Sequence, residues 1–119
     1  MLVMDVCFGG TFDKKLARGG DRGETLTYND KNYIITKMGK RTRRFLTSGG
    51  KEYVPDGEPG HHSPFAAQFV KALREIGGSS RRVMSLVELP PYFLNLTTQA
   101  YYGSFGSDDP QGDFMFIAK

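Results

Sequence analysis

The sequence predicts a single α/β domain, and three segments carry this prediction. Residues 2–7 form a short apolar run that ends at glycines, which is typical of a buried strand. Ser63, Pro64 and Gly77 stand where a helix takes its cap, its first residue and its stop, and the segment between them is apolar on one face. Residues 112–118 predict a closing strand. Because strands alternate with helices, we expect a mostly parallel sheet.

Three further segments have weaker patterns. Residues 43–50, RRFLTSGG, predict a second buried strand that ends at glycines. Residues 80–93 predict a second, shorter helix that is ended by two consecutive prolines. Residues 31–38, KNYIITKM, fit a short strand or a short helix.

The composition excludes several classes of protein. Hydrophobic residues make up 39% of the chain and charged residues 24%, which is ordinary for a globular domain. No apolar stretch is long enough to span a bilayer, and Asp5 interrupts the N-terminal run, unlike a signal peptide. A single cysteine excludes an internal disulfide framework and fits a reducing compartment. We therefore expect a cytoplasmic protein without membrane contact or bound cofactor.

Positive charge is concentrated in residues 37–44, KMGKRTRR, in a chain of net charge +3. Such a cluster binds nucleic acid in some proteins and protects a strand edge in others. No aromatic-interleaved basic stripe or known nucleic-acid motif accompanies it. We therefore expect a solvated loop and strand edge, without a nucleic-acid partner.

The cysteine, Cys7, lies at the end of the first predicted strand, shortly before Gly9 and Gly10. Free cysteine is among the most buried residue types, so one interpretation is a small core residue. The other is a nucleophile at a strand end, where glycines let a substrate backbone approach closely. Composition alone leaves both interpretations open.

Four segments, in chain order, point to a family. They are DVCFGG (5–10), LTSGGKE (46–52), GHHSPFAAQFVKALRE (60–75) and TTQAYYGSFGSDDPQGDFMFI (97–117). The first resembles the D-x-C-x-S/G-G strand end of caspase-like cysteine peptidases, in the metacaspase and bacterial caspase-homologue branch. The others are similar to that group's second strand, following helix and closing stretch. Each segment alone is a weak signal, but together they cover nearly the whole chain.

The resemblance implies the C-terminal part, from the nucleophile strand onward, of a caspase-like three-layer fold, with residues 1–119 as one domain. It also implies a cysteine endopeptidase that acts on peptides or proteins. The Cys7 thiolate would attack the peptide carbonyl, and since a free thiol has a pKa of about 8.5, it needs a nearby base. The Cys7 backbone N–H would contribute to an oxyanion hole, and Gly9 and Gly10 would keep that side open.

The base is where the chain departs from the family pattern. In the family a histidine that precedes the cysteine is the base, and none of the six residues before Cys7 is histidine. The resemblance therefore implies that an N-terminal segment, or a second copy, completes the site. His61 and His62 are the alternative bases within the chain, although the resemblance makes His62 a structural or pocket-lining residue.

The resemblance also implies a specificity for basic residues. Asp5 lies two positions before Cys7, on the same side of the strand. In the family the matching acid, together with a second acid after the Ser-Gly segment, holds a basic side chain. Glu52 occupies that second position, with Asp56 as its near competitor and Ser48 in the Ser-Gly segment. Two carboxylates favour Arg or Lys before the scissile bond. The alternative for Asp5 is a strand-end acid satisfied by neighbouring backbone.

Residues 11–42 predict a long loop region of the processing type. Four basic residues stand on its glycine-broken backbone, where nicking concentrates, so an enzyme specific for basic residues would cut itself there. These residues are Lys14, Lys15, Arg18 and Arg22.

Two other functions remain open. The absent histidine favours a catalytically inactive caspase-like module that binds protein partners, and residues 37–44 would serve a small basic nucleic-acid-binding domain. Asp108, Asp109 and Asp113 offer oxygen ligands, but without a ligand framework they predict no metal site.

Overall fold

A computed structural model describes residues 1–5, 31–50 and 53–119 of the chain. Within these residues, strands and helices form an α/β domain, as predicted. The elements in chain order are β1 (Leu2–Met4), α1 (Lys31–Met38), β2 (Arg44–Thr47), α2 (Pro64–Gly78), β3 (Val83–Ser85), β4 (Tyr101–Ser104) and β5 (Met115–Ile117). Two 3₁₀ turns, Leu86–Glu88 and Pro90–Phe93, follow β3.

Strand β2 is the middle strand of a three-stranded sheet with the order β1-β2-β4. It pairs in parallel with β1, so that Leu2 lies opposite Phe45. It pairs antiparallel with β4, so that Arg44 lies opposite Ser104. Strands β3 and β5 form a separate antiparallel pair. The described strands therefore form mixed sheets, with one parallel and two antiparallel pairings.

Several predicted elements are confirmed by the described residues. The predicted strands at 43–50 and 112–118 contain β2 and β5, and β1 lies within the described part of the strand predicted at 2–7. Residues 31–38, which fitted either element, form helix α1. Helix α2 begins as expected, because Ser63 is its N-cap and accepts a hydrogen bond of 3.0 Å from the backbone N–H of Ala66.

The helix predicted for residues 80–93 is wrong. Arg82 has a φ of 50°, in the left-handed region, which an α-helix does not continue through. Val83–Ser85 then pairs with Met115–Ile117 as a strand, so tertiary pairing overrides the local pattern. The Glu88 carboxylate accepts a hydrogen bond of 2.7 Å from the Ser85 backbone N–H and starts only a short 3₁₀ turn. Strand β4 is an element that the sequence pattern did not predict.

The core lies where α2 packs against the strands and the two 3₁₀ turns. The rings of Phe65 and Phe93 stack with centroids 5.1 Å apart, and Phe69 meets Phe116 edge-on at 5.9 Å. The buried cluster consists of Leu46, Phe65, Ala72, Met84, Leu86, Leu89 and Phe93. Phe65, the second residue of α2, therefore fixes the start of the helix against the core.

Truncation of this anchor should destabilise the domain. We expect Phe65→Ala to lower the free energy of unfolding by about 3–5 kcal/mol, because it removes a buried ring and leaves a cavity. Leu94→Ala is the control, since Leu94 is 78% exposed and its truncation should change stability by no more than about 0.5 kcal/mol. Urea unfolding of both variants measures the difference, and equal losses would contradict this assignment of the core.

Candidate functional site

The carboxyl ends of β1 and β2 lie side by side because the two strands are parallel. The pairing continues one residue further, where the Ser48 backbone N–H donates a 3.0 Å hydrogen bond to the Met4 carbonyl. Asp5 and Ser48 therefore follow neighbouring strands at one edge of the sheet. In open α/β sheets this edge, outside the carboxyl ends of the strands, is where ligands bind.

Asp5 also contacts the beginning of helix α2. Its Oδ2 accepts a hydrogen bond from the Ser63 hydroxyl, while the Ser63 Oγ accepts the Ala66 N–H. One hydroxyl thus caps the helix and holds the acid at the end of β1. Asp5 is exposed, and no described residue hydrogen-bonds its Oδ1. Among the described residues, the hydrogen-bond partner of Asp5 is a side chain, and the choice between a pocket acid and a strand-end acid satisfied by backbone stays a prediction.

Ser48 supports this edge from within the protein. It is fully buried, and its carbonyl accepts a 3.2 Å hydrogen bond from the Thr98 hydroxyl. The neighbouring Thr47 is also fully buried and donates from its hydroxyl to the Gly49 carbonyl at 2.9 Å. The Ser-Gly segment is therefore held in a fixed shape, and a contact of Ser48 with substrate stays a prediction.

His61, His62 and Asp56 lie in the exposed loop that leads to α2. The His61 backbone N–H donates a 2.8 Å hydrogen bond to the Glu58 carbonyl. Gly57 approaches the His62 carbonyl so closely that a Cβ there would overlap it, which explains the glycine. The structure thus brings both histidines to the entrance of α2, immediately before the residue that binds Asp5.

The remaining predicted site residues, Cys7, Gly9, Gly10 and Glu52, lie outside the described residues, and their roles stay predictions. The same holds for the basic residues of the expected processing loop up to residue 30. The described part of that predicted region contains helix α1.

A second cluster was not predicted as a unit. The basic segment 37–44 contacts the acidic loop 107–113, and we call the two together the charge cluster. Arg41 donates from its backbone N–H and its guanidinium to Asp109, at 2.7 and 3.3 Å. The Arg43 backbone N–H donates to Asp108 at 2.9 Å. Farther along, the ammonium groups of Lys37 and Lys40 donate to the backbone carbonyls of residues 111 and 110, at 2.7 and 2.9 Å.

Arg44, the first residue of β2, lies at the centre of the charge cluster. Its Nε is 3.7 Å from an Asp108 oxygen and 3.9 Å from an Asp113 oxygen, and its Nη2 donates to the Gly112 carbonyl. The Nε is buried and makes no hydrogen bond to a described residue. Burial raises the pKa of Asp113, and the Phe114 backbone N–H and the Arg44 guanidinium partly oppose this rise.

The charge cluster bears on two possibilities raised by the sequence: a metal site at the three aspartates and nucleic-acid binding by residues 37–44. Asp108, Asp109 and Asp113 bind basic groups, and no set of His, Cys, Asp or Glu in the described ranges is arranged to hold a metal ion. Arg41 and Arg44 form ion pairs with these acids, which reduces the positive charge that they offer to phosphate. The side chains of Lys37, Lys40 and Arg43 donate to neutral oxygens and keep their charge. Opposite charges 64 residues or more apart carry no sequence signal of their pairing.

Comparison with known proteins adds no relative. No family model matches the sequence, and the curated proteins and the solved structures give no match either. In the part of the chain that the structure describes, no helix is long and apolar enough to cross a membrane.

Arg44 should contribute more to stability than the exposed Arg41 of the same cluster. We expect Arg44→Met to cost about 3–5 kcal/mol, because it leaves Asp108 and Asp113 without their buried cation. Arg41→Met should cost less than about 1 kcal/mol, since the exposed ion pair is weak and the backbone N–H of residue 41 still binds Asp109. Urea unfolding compares the two variants, and a cost for Arg44→Met no larger than that for Arg41→Met would disprove the central role of Arg44.

The pKa of Asp113 predicts a pH dependence of stability. Its usual value is 3.8, and the raised folded-state pKa means that the folded protein binds this proton more tightly than the unfolded chain. Wild type should therefore lose stability relative to Asp113→Asn as the pH rises from 3.8 through the folded-state pKa. Above that pH the difference should be constant.

Urea unfolding of both proteins across this pH range measures the effect. A difference that shifts in favour of wild type as the pH rises would show that the attraction to Arg44 outweighs the cost of burial.

Proposed function

We propose that this chain is the C-terminal part of a caspase-like cysteine endopeptidase that cleaves after Arg or Lys. Cys7 is its nucleophile, and Asp5 and Glu52 recognise the basic side chain. The histidine base comes from a segment outside these residues. The other strands of a caspase-like, mostly parallel sheet would then lie beyond β1.

The observation that carries this proposal is that hydrogen bonds join the motif segments in two pairs, and that Met4, the residue immediately before the first segment, links one pair to the other. The Met4 carbonyl binds the Ser48 N–H, and the Ser48 carbonyl binds the Thr98 hydroxyl. Asp5 binds Ser63 at the start of α2. Segments that resemble one family in chain order thus also meet in space, at the strand ends where an α/β protein places its site.

The composition of β1 supports further strands beside it in the proposed fold. Strand β1 is the end strand of its sheet among the described residues, and its neighbours Leu2 and Val3 point to opposite faces. They are 37% and 40% exposed. Apolar residues on both faces are typical of a strand inside a parallel sheet, so β1 has the composition of an inner strand.

The reaction proceeds through an acyl-enzyme. The histidine accepts the Cys7 thiol proton, and the thiolate sulfur forms a bond with the carbonyl carbon of the basic residue. The C–N bond then breaks, and the departing amine takes the proton from the imidazolium. Water, deprotonated by the same histidine, attacks the thioester and releases the acid product and Cys7. Backbone N–H groups stabilise the oxyanion in both steps.

Labelling by a peptidyl electrophile tests the proposal. A peptidyl-Arg acyloxymethyl ketone should modify Cys7, detected by intact mass, when the chain is expressed together with the coding sequence upstream of it. An otherwise identical Asp probe should not react. Asp5→Asn should slow the reaction of the Arg probe at least about tenfold, because a hydrogen bond to a charged group is lost. A neutral probe with citrulline in place of Arg should be unaffected by this substitution.

Iodoacetamide is the control for an accessible thiol, because Cys7 is the only cysteine. Modification by iodoacetamide without labelling by any peptidyl probe would contradict peptidase activity and favour a protein-binding module. Labelling of the chain alone would instead assign the base to His61 or His62.

A further inference from the structure

Ser63 stands between the rigid core and the exposed acid at the end of β1. Its Oγ accepts a hydrogen bond of 3.0 Å from the Ala66 N–H, which leaves the hydroxyl able to donate. The Asp5 Oδ2 accepts that second hydrogen bond. Phe65, two residues later, is buried and stacked on Phe93. The position of the Ser63 hydroxyl is therefore set by the packing of the helix, and this position in turn sets that of Asp5.

Within the described residues, this arrangement leaves one carboxylate oxygen of Asp5, Oδ1, available to bind a ligand. A carboxylate has two oxygens and accepts more than two hydrogen bonds, and Ser63 contacts Oδ2 alone. Asp5 is exposed, with no described residue on Oδ1. An unsupported acid at a strand end would lose rotamer freedom when it bound a cation, and a carboxylate already held by one oxygen avoids most of that cost.

We propose that Ser63 is a positioning residue for substrate specificity. It holds Asp5 by Oδ2 and presents Oδ1 to the guanidinium or ammonium group of the basic substrate residue. This inference rests on the proposed function, because it assigns to Asp5 the recognition of that residue. It adds a residue that the sequence showed only as a helix cap.

The experiment separates the two roles of Ser63 by substitution. Ser63→Asp keeps a good N-cap acceptor, but an ionised carboxylate has no proton to donate and repels Asp5. Ser63→Thr keeps both the cap and the donor. Ser79→Ala is the matched control, since it removes a side-chain hydrogen bond of 2.8 Å, to the Ile76 carbonyl, at the other end of the same helix.

The measurement is steady-state cleavage of two peptides that differ only in Arg or citrulline before the scissile bond. The protein is expressed with its upstream coding sequence, and thermal unfolding is recorded for every variant. Ser63→Asp should raise KM for the Arg peptide about tenfold, with little change in kcat, KM for citrulline or melting temperature. Ser63→Thr and Ser79→Ala should keep the wild-type preference for Arg.

The outcomes distinguish this inference from the proposed function. If wild type cleaves neither peptide, the proposed function is wrong and the inference falls with it. If wild type prefers Arg and Ser63→Asp keeps the wild-type KM, the function stands and the positioning role is wrong. An equal loss on both peptides, or a lowered melting temperature, would reduce Ser63 to a structural cap.

Discussion

The burial of residues 45–47 of strand β2, between two neighbouring strands, is the constraint on which the rest of the structure depends. Phe45 and Leu46 supply apolar surface, and Thr47 and Ser48 are just as deeply buried although they are polar. Buried polar groups are costly unless they are hydrogen-bonded. The chain therefore turns at Gly49, where a carbonyl accepts the Thr47 hydroxyl, and the segment around Thr98 returns to bind the Ser48 carbonyl. The shape of the candidate site follows from satisfying these groups.

The two ends of β2 serve different purposes. Its first residue, Arg44, lies between the acids of the charge cluster, and the residue after its last, Ser48, joins the strand ends at the candidate site. A buried ion pair adds little net stability compared with apolar residues, but removal of one partner leaves an uncompensated charge. The charge cluster thus fixes the loop 107–113 against the segment that leads into β2. Because that loop leads from β4 to β5, the cluster also connects the two sheets.

The sequence predicted those elements whose signals are local. Ser63 and Pro64 mark the start of α2, and the glycines after β2 mark its end, because caps and turns depend on adjacent residues. The helix predicted around Val83 was wrong, since the pairing of this segment with β5 involves residues 30 or more positions away. Strand β4 was missed for a similar reason: Gly103 weakens the local pattern, and the pairing with β2 supplies what the pattern lacks. The basic segment and the aspartates of the charge cluster were recognised in the sequence, but the pairing between them was not predicted.

The same distinction explains what was found at the candidate site. Asp5 was singled out by the family resemblance together with its spacing from Cys7, and Ser63 by its place before a helix, and neither pattern relates one residue to the other. Their contact joins residues 58 positions apart. It depends on tertiary structure, because β1 pairs with β2, and Leu46 of β2 lies in the same core cluster as Phe65 of α2. A hydroxyl that must accept from the helix has a proton left to donate, and a carboxylate nearby is its natural acceptor. The core packing of Phe65 therefore fixes the helix start, the helix start fixes the Ser63 hydroxyl, and this hydroxyl binds Asp5, the acid that recognises substrate in the proposed function.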